Sequence, residues 1–256
     1  MYKRPDGIWV FTREEFCKTR FAYKPGEHVV FGGPTQRGKT SLGFALMEYI
    51  VSPEFPAYIA VSKPEDKVTR VRAEELEFRT VSTWPPPQGV RQLFSGKPNG
   101  FVVHPKFGNI DTDPESTAGV IHALIADRYA AGAAKKARGI IVLQDTWTKA
   151  NVQGLDKPMM TISAMAGAMG LGCWIEVQKP SGGGKTVLMA YGNSEHVFIS
   201  RDPVKSNQKY YNDIGGFEGR FVQETVAHLE PFQFLYCSRD GGTACIVDKG
   251  ERTITK

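Results

Sequence analysis

The chain has 256 residues, 41% of them hydrophobic and 11% aromatic, which excludes a disordered tail or a small disulfide-held scaffold and suits one generous domain. A net charge of +5, with a pI near 8.9, is compatible with a polyanionic partner but does not establish one. The longest apolar stretches fall well short of the roughly 20 residues that span a bilayer.

Residues 1–6 (Met-Tyr-Lys-Arg-Pro-Asp) have no apolar signal region behind them, which predicts no secretion signal. Cys17, Cys173, Cys237 and Cys245 show no CxxC pairing and no His at zinc spacing. They read as free thiols of a reducing cytoplasm, with no zinc site.

Apolar strands alternate with helical stretches, the pattern of a mainly parallel sheet with helices on both faces. Residues 1–26 read as an N-terminal appendage packed on one domain, 27–256. Residues 29–31 are a β-branched and aromatic run ending in Gly32-Gly33, and 41–51 have helical spacing until Pro53 and Pro56 stop it. A second strand is predicted over 57–61, an exposed helix within the charged stretch 63–79, and a loop at Trp84 and its three prolines. A strand at 101–104 precedes a helix over 117–134, which ends in the basic cluster of Lys135, Lys136 and Arg138. The unbroken run 139–143 reads as a strand buried on both faces. Residues 159–171, interrupted by Gly167 and Gly170, read as a buried helix, and 173–177 as a strand. Further strands are predicted at 196–200, 232–237 and 244–247, with a polar stretch rich in Tyr and Lys after the first.

Gly33, Pro34, Thr35, Gln36, Arg37, Gly38, Lys39 and Thr40 match G-x-x-x-x-G-K-[ST] in full, with a strand before and a helix after. The glycines let successive backbone N–H groups turn toward phosphates, and the helix beginning near Lys39 adds the partial positive charge of its N-terminus. ATP is the expected ligand, with Ser41 also at the phosphates, Lys39 on the β- and γ-phosphates and the Thr40 hydroxyl on Mg²⁺. Residues 181–186 end in the same Gly-Lys-Thr. Lys179 stands where the first glycine belongs, however, and 187–190 look more strand-like than helical. That segment reads as a mobile loop.

Such a loop needs a carboxylate at the tip of a buried strand to hold Mg²⁺, and Asp145, after the 139–143 run, is the metal-side acid. Many nucleotide-driven motors place a Glu next, which polarises the attacking water; here the residue is Thr146. Glu65, Asp66 and Glu176 are the possible replacements. Glu176 lies mid-strand, where a carboxylate is costly to bury alone, and a structural ion pair accounts for it equally well.

The strand carrying Glu176 ends in Gln178-Lys179-Pro180-Ser181, and this resembles the FtsK/HerA group of DNA-pumping ATPases, whose corresponding strand ends in Gln, a basic residue, Pro and Ser. Residues 62–66, after the second strand, and 196–216, after the sensor strand, are similar to other segments of the group, and the likeness spans roughly 29–247. The resemblance implies a three-layer P-loop fold, α/β, with a mainly parallel RecA/FtsK-like sheet and helices on both faces. It also implies that the Gln178 strand lies beside the phosphate-loop strand, so that Gln178 senses the γ-phosphate. Ring-forming members lend an arginine to a neighbouring subunit, which points first to Arg201, then Arg138, then Lys205 and Lys209. Thr146 for Glu and Ser62 for Asp are departures from the group's pattern.

The size resembles that of the small packaging ATPases of viruses and mobile elements, in the cytoplasm of a host or with a virion. The first reading is therefore a ring ATPase that moves double-stranded DNA and works with a portal or membrane partner. Residues 181–184, Lys149 or Lys157 would touch the DNA backbone. Trp9, Phe11, Tyr210 and Tyr211 could stack on adenine, but core packing is the favoured role for each. A nucleotide-binding assembly or export protein with slow hydrolysis stays open because of Thr146. A small-molecule kinase would need a lid with clustered arginines.

Overall fold

The computed structural model describes all residues except 5, 62, 64–65, 88–95, 107–112, 179–183, 213, 215, 240–241 and 251–256. The chain begins with β1 (Tyr2–Lys3) and β2 (Trp9–Thr12), which pair antiparallel. Thr12 then caps α1 (Arg13–Thr19) through a reciprocal exchange with Glu15, so the chain turns abruptly from strand to helix. β3 (Val29–Gly32) and α2 (Lys39–Met47) flank the phosphate loop. Next come β4 (Ala57–Ala60), α3 (Lys67–Glu75), β5 (Arg79–Val81), β6 (Gly100–Val103) and the long α4 (Asp113–Ala133). β7 (Gly139–Leu143) leads into α5 (Thr146–Asn151) and α6 (Asp156–Met165), and β8 (Leu171–Val177) precedes α7 (Gly184–Asn193). The chain then forms β9 (His196–Ser200), α8 (Gly219–Ala227), β10 (Phe234–Ser238) and β11 (Thr243–Asp248).

All these strands lie in one sheet, ordered β1-β2-β11-β10-β9-β3-β8-β7-β4-β6-β5. The block from β9 to β5 is parallel throughout, and β10 is antiparallel to both β9 and β11. Strand alternation sorts the core into two layers. On one face Val29, Phe31, Ile59, Val142, Trp174 and Phe198 pack against Phe16 of α1, Leu42 and Leu46 of α2 and Ala73 of α3. On the other, Val30, Ala60, Ile141, Leu143 and Ile175 meet Ile121 of α4, Ile162 of α6, Val187 of α7 and Val222 of α8. The expected α/β P-loop fold is the fold of this chain.

Residues 1–26 enter this sheet and core directly. β2 runs parallel to β11, with Val10 opposite Ile246, and Phe16 and Phe21 are buried.

Several elements differ from the sequence reading. Residues 187–190 are helical, because Val187, Ala190 and Tyr191 fall on one face and pack into the core while Leu188 points outward, half exposed. The helix predicted over 159–171 ends at Met165; a 3-10 turn at Gly167–Met169 follows, and Leu171 already belongs to β8. The polar stretch after β9 holds α8, whose Val222 and Val226 are buried. Phe232 precedes β10 instead of opening it.

Candidate functional site

β3, β8 and β7 are neighbours, and all three end at the same edge of the sheet. That edge is where a parallel sheet builds its ligand sites, since the loops leaving the strands diverge there. β3 hands the chain to the phosphate loop. Gly33, at φ 134°, donates its N–H to Val177 O on β8 at 2.9 Å, and a Cβ there would overlap the Ser200 hydroxyl on β9. Only glycine suits that position. Gln36 and Gly38 also have left-handed backbones, and Gly38 is the N-cap of α2.

The Lys39 ammonium is buried and donates to Gly33 O at 2.7 Å and Pro34 O at 2.8 Å, so it stitches the loop across its own mouth. Burial lowers its pKa, against the opposing pull of Glu176. Thr40 Oγ1 donates to Glu176 Oε2 at 3.2 Å. Glu176 sits in the β8 ladder opposite Phe31, and burial raises its carboxyl above the ordinary range while Lys39 and Thr40 oppose the rise.

Asp145 follows β7 at φ 50° and ψ 56°, a left-handed conformation uncommon for non-glycine residues but one that Asp adopts more readily than most. Its Oδ1 accepts from Gln178 Nε2 at 2.7 Å and its Oδ2 from Thr148 Oγ1 at 2.9 Å. Gln178, one residue past β8, therefore ties the tip of β8 to the tip of β7. Gln144 turns away to donate to Thr69 Oγ1 at 3.0 Å, and Asp66 caps α3 by accepting from Thr69 N. The cleft these groups line has a volume of about 640 Å³ and also takes in Arg13, Lys63, Phe232 and Lys249.

The loop residues Lys39 and Thr40, with Ser41, thus share one cleft with Asp66, Asp145, Glu176 and Gln178. Glu65, Ser62 and the Lys179-Pro180-Ser181 continuation lie outside the described residues, as do residues 181–183. Arg201 is exposed past the end of β9 and does not line the cleft. Arg138 precedes β7, at the opposite edge of the sheet from Asp145. Lys205 and Lys209 lie on an exposed 3-10 turn.

One expectation fails. Lys149 cannot touch DNA, because it is fully buried and donates to Gln144 O beneath the β7 tip. Phe11 and Tyr211 are buried in the core, the role the sequence favours for them, and not on an adenine face. Trp9 and Tyr210 pair instead with Lys3 and Lys209 in cation–π contacts, away from the cleft. Sequence reading missed Arg13 and Phe232, which line it. Arg13 was hidden in the apparent appendage, and Phe232 in an apolar run that read as strand.

No protein-family model matches the chain, and no curated protein matches it. Among solved structures it is similar to the genome packaging NTPase B204 from Sulfolobus turreted icosahedral virus 2 in complex with ATP-gammaS, with a TM-score of 0.53 and 13% identity over 88% of this chain and 98% of that one. It is similar to VirB4 of Thermoanaerobacter pseudethanolicus, with a TM-score of 0.62 and 6% identity over 88% and 90% of the two chains. A third likeness is to the cytoplasmic domain of the Thermomonospora curvata Type VII Secretion ATPase EccC, at TM-score 0.54 and 12% identity, covering 91% of this chain and 27% of that one. At such identities the likeness is one of fold, and the fold is that of a P-loop NTPase.

Proposed function

We propose that the chain is an ATPase that couples ATP hydrolysis to the translocation or packaging of double-stranded DNA, working as a ring. The observation that carries this is the convergence of Lys39, Thr40, Glu176, Asp145 and Gln178 from three adjacent strand ends into one cleft. Likeness of fold to a genome packaging NTPase supports the DNA-moving part.

Within this reading the glycine loop cradles the phosphates, and Lys39 exchanges its carbonyl partners for phosphate oxygens. The hydroxyl of Thr40 and the carboxylates of Asp145 and Glu176 are hard oxygen donors, the set that suits Mg²⁺. When bound, that cation neutralises charge on the β- and γ-phosphates. Asp145 meets Gln178 directly, so a shift of Gln178 toward the γ-phosphate would pull on the acid, and hydrolysis would release it. Arg201 is exposed at the end of the strand beside β3 and outside its own cleft, which supports a role at a neighbouring subunit's phosphates. The exposed Lys157 is the remaining basic candidate for DNA contact.

One observation favours a slower nucleotide-binding assembly protein. The residue after Asp145 is the fully buried Thr146, whose hydroxyl donates to Leu143 O, so no carboxylate stands at that position. ATP turnover measured with and without long duplex DNA decides between the two. Stimulation by duplex supports the motor, and ATP binding with no turnover in either condition supports the assembly protein. Turnover that requires a small-molecule acceptor would overturn both.

A further inference from the structure

We infer that Phe232 is the shelf on which the base of the bound nucleoside triphosphate stacks, with Arg13 beside it; this rests on the nucleotide-binding reading above. Phe232 is the third residue of a tight turn closed by Gln233 N donating to Glu230 O at 3.2 Å, with Pro231 second. Its φ is 67°. A turn with Pro second and positive φ third ordinarily holds glycine there, since any side chain strains the backbone. An aromatic residue in that place is an outlier that asks for a function.

The turn is held in this shape by the buried side chain of Gln233. Gln233 is 4% exposed, accepts from Glu230 N at 3.0 Å through Oε1, and donates to Asp248 Oδ2 at 2.8 Å through Nε2. The strained backbone therefore aims a ring that the core does not take up, for Phe232 remains 45% exposed and lines the phosphate cleft.

Its position within the cleft identifies what it would meet. A Cβ built on Gly38 would stand 3.0 Å from Phe232 Cδ1 and 3.6 Å from Arg13 Nη2, so ring and guanidinium come together above the last glycine of the loop. Arg13 Nη1 also donates to Ser41 Oγ at 3.0 Å, which pins it to the first turn of α2. Lys249, next in the chain to the Asp248 that holds Gln233, lines the same cleft. The cleft thus has two chemically distinct ends. Asp145, Glu176 and Gln178 stand at one, suited to a cation and a terminal phosphate; an aromatic face and cationic side chains stand at the other. A triphosphate threaded through the loop with its γ end toward Gln178 puts its base at the second end. There a flat π-system finds the exposed ring of Phe232 to stack on, with the buried Arg13 adding positive charge nearby.

The test is calorimetric binding of ATPγS and of inorganic tripolyphosphate, each with Mg²⁺, to the parent chain and to Phe232→Asn and Phe232→Trp. Asparagine tolerates the left-handed backbone, so Phe232→Asn should melt no lower than the parent. It should bind ATPγS at least tenfold more weakly and tripolyphosphate equally well. Phe232→Trp should keep ATPγS affinity, with indole fluorescence quenched by ATPγS but not by tripolyphosphate. ATPγS affinity unchanged in Phe232→Asn would overturn the shelf alone, as would an equal loss for tripolyphosphate, which would mean the ring merely shapes the loop. A parent chain that binds neither ligand would overturn the nucleotide reading itself, and the shelf with it.

Discussion

Gly38-Lys39-Thr40 and Gly184-Lys185-Thr186 are the same tripeptide, and each opens a helix, α2 in one case and α7 in the other. Their surroundings share little else. Lys39 is buried against Gly33 O and Pro34 O, whereas Lys185 is exposed. Thr40 reaches a carboxylate on the neighbouring strand, whereas Thr186 is buried among the apolar residues of α7. The tripeptide alone therefore does not set these surroundings. The site needs a strand that delivers the loop to the sheet edge, a first glycine with room only for hydrogen, and an acid across from the threonine.

The largest effect should come from Lys39→Ala, which removes the buried cation that faces the phosphates. Charge-assisted hydrogen bonds of this kind stabilise by roughly 1.5–3 kcal/mol each, so ATP affinity should fall by about 100-fold or more. Isothermal titration with ATPγS measures it, and unchanged affinity would sink the nucleotide reading.

Gly33→Ala should come next, and it acts through shape. Strain from a left-handed backbone and the overlap with Ser200 together should destabilise the chain by roughly 2–4 kcal/mol. Denaturant melts would show this, and Gly33→Ala combined with Ser200→Gly should recover part of it, because the overlap is with that hydroxyl. If Gly33→Ala melts like the parent, the close approach to β9 is not what fixes the loop.

The third test concerns another pair of lysines, Lys149 inside and Lys157 outside. Burial pushes Lys149 down to about 7 from its ordinary value of 10.5. Between these limits the unfolded chain holds a proton on Lys149 that the folded chain has released, so this residue's contribution to stability rises as pH climbs from about 7 toward 10.5. Thermal melts from about pH 7 to 8.5, below the range in which the four buried cysteines act in the opposite sense, should therefore show a more positive slope in the parent than in Lys149→Met. Duplex affinity should stay the same in Lys149→Met. In Lys157→Ala it should fall modestly and less so at high salt, as for a single backbone contact. A parent profile no steeper than that of Lys149→Met would remove the buried-lysine account.

Much of this arrangement was legible in the residues, because strands buried on both faces announce themselves as unbroken apolar runs. β3, β4, β7 and β8 were readable for that reason, and so was the loop between β3 and α2. What resisted reading depends on contacts distant in sequence. α8 hides in a polar stretch because only one face of it is apolar, and that face has meaning only once the β9–β10 edge exists to cover. Arg13 reaches the cleft because β2 pairs with β11 and because Thr12 turns the chain, neither of which leaves a mark near the phosphate motif. Glu176 was recognisable as an odd carboxylate within a strand, but its partner Thr40 is 136 residues away in the chain.

The smallest effect should come from Lys185→Ala, and it is the one that keeps the two tripeptides apart. Lys185 is exposed on the first turn of α7, and surface substitutions of this kind ordinarily change stability by no more than about 0.5 kcal/mol. ATPγS affinity should change by less than about twofold, which corresponds to under about 0.4 kcal/mol. Removing a cation near a helix N-terminus relieves a slightly unfavourable dipole interaction, so the melting temperature should, if anything, rise. A loss of affinity approaching that of Lys39→Ala would show that α7 presents its N-terminus to a nucleotide. Two phosphate loops would then operate in one chain, and the requirement for a first glycine and a facing acid would have to be given up.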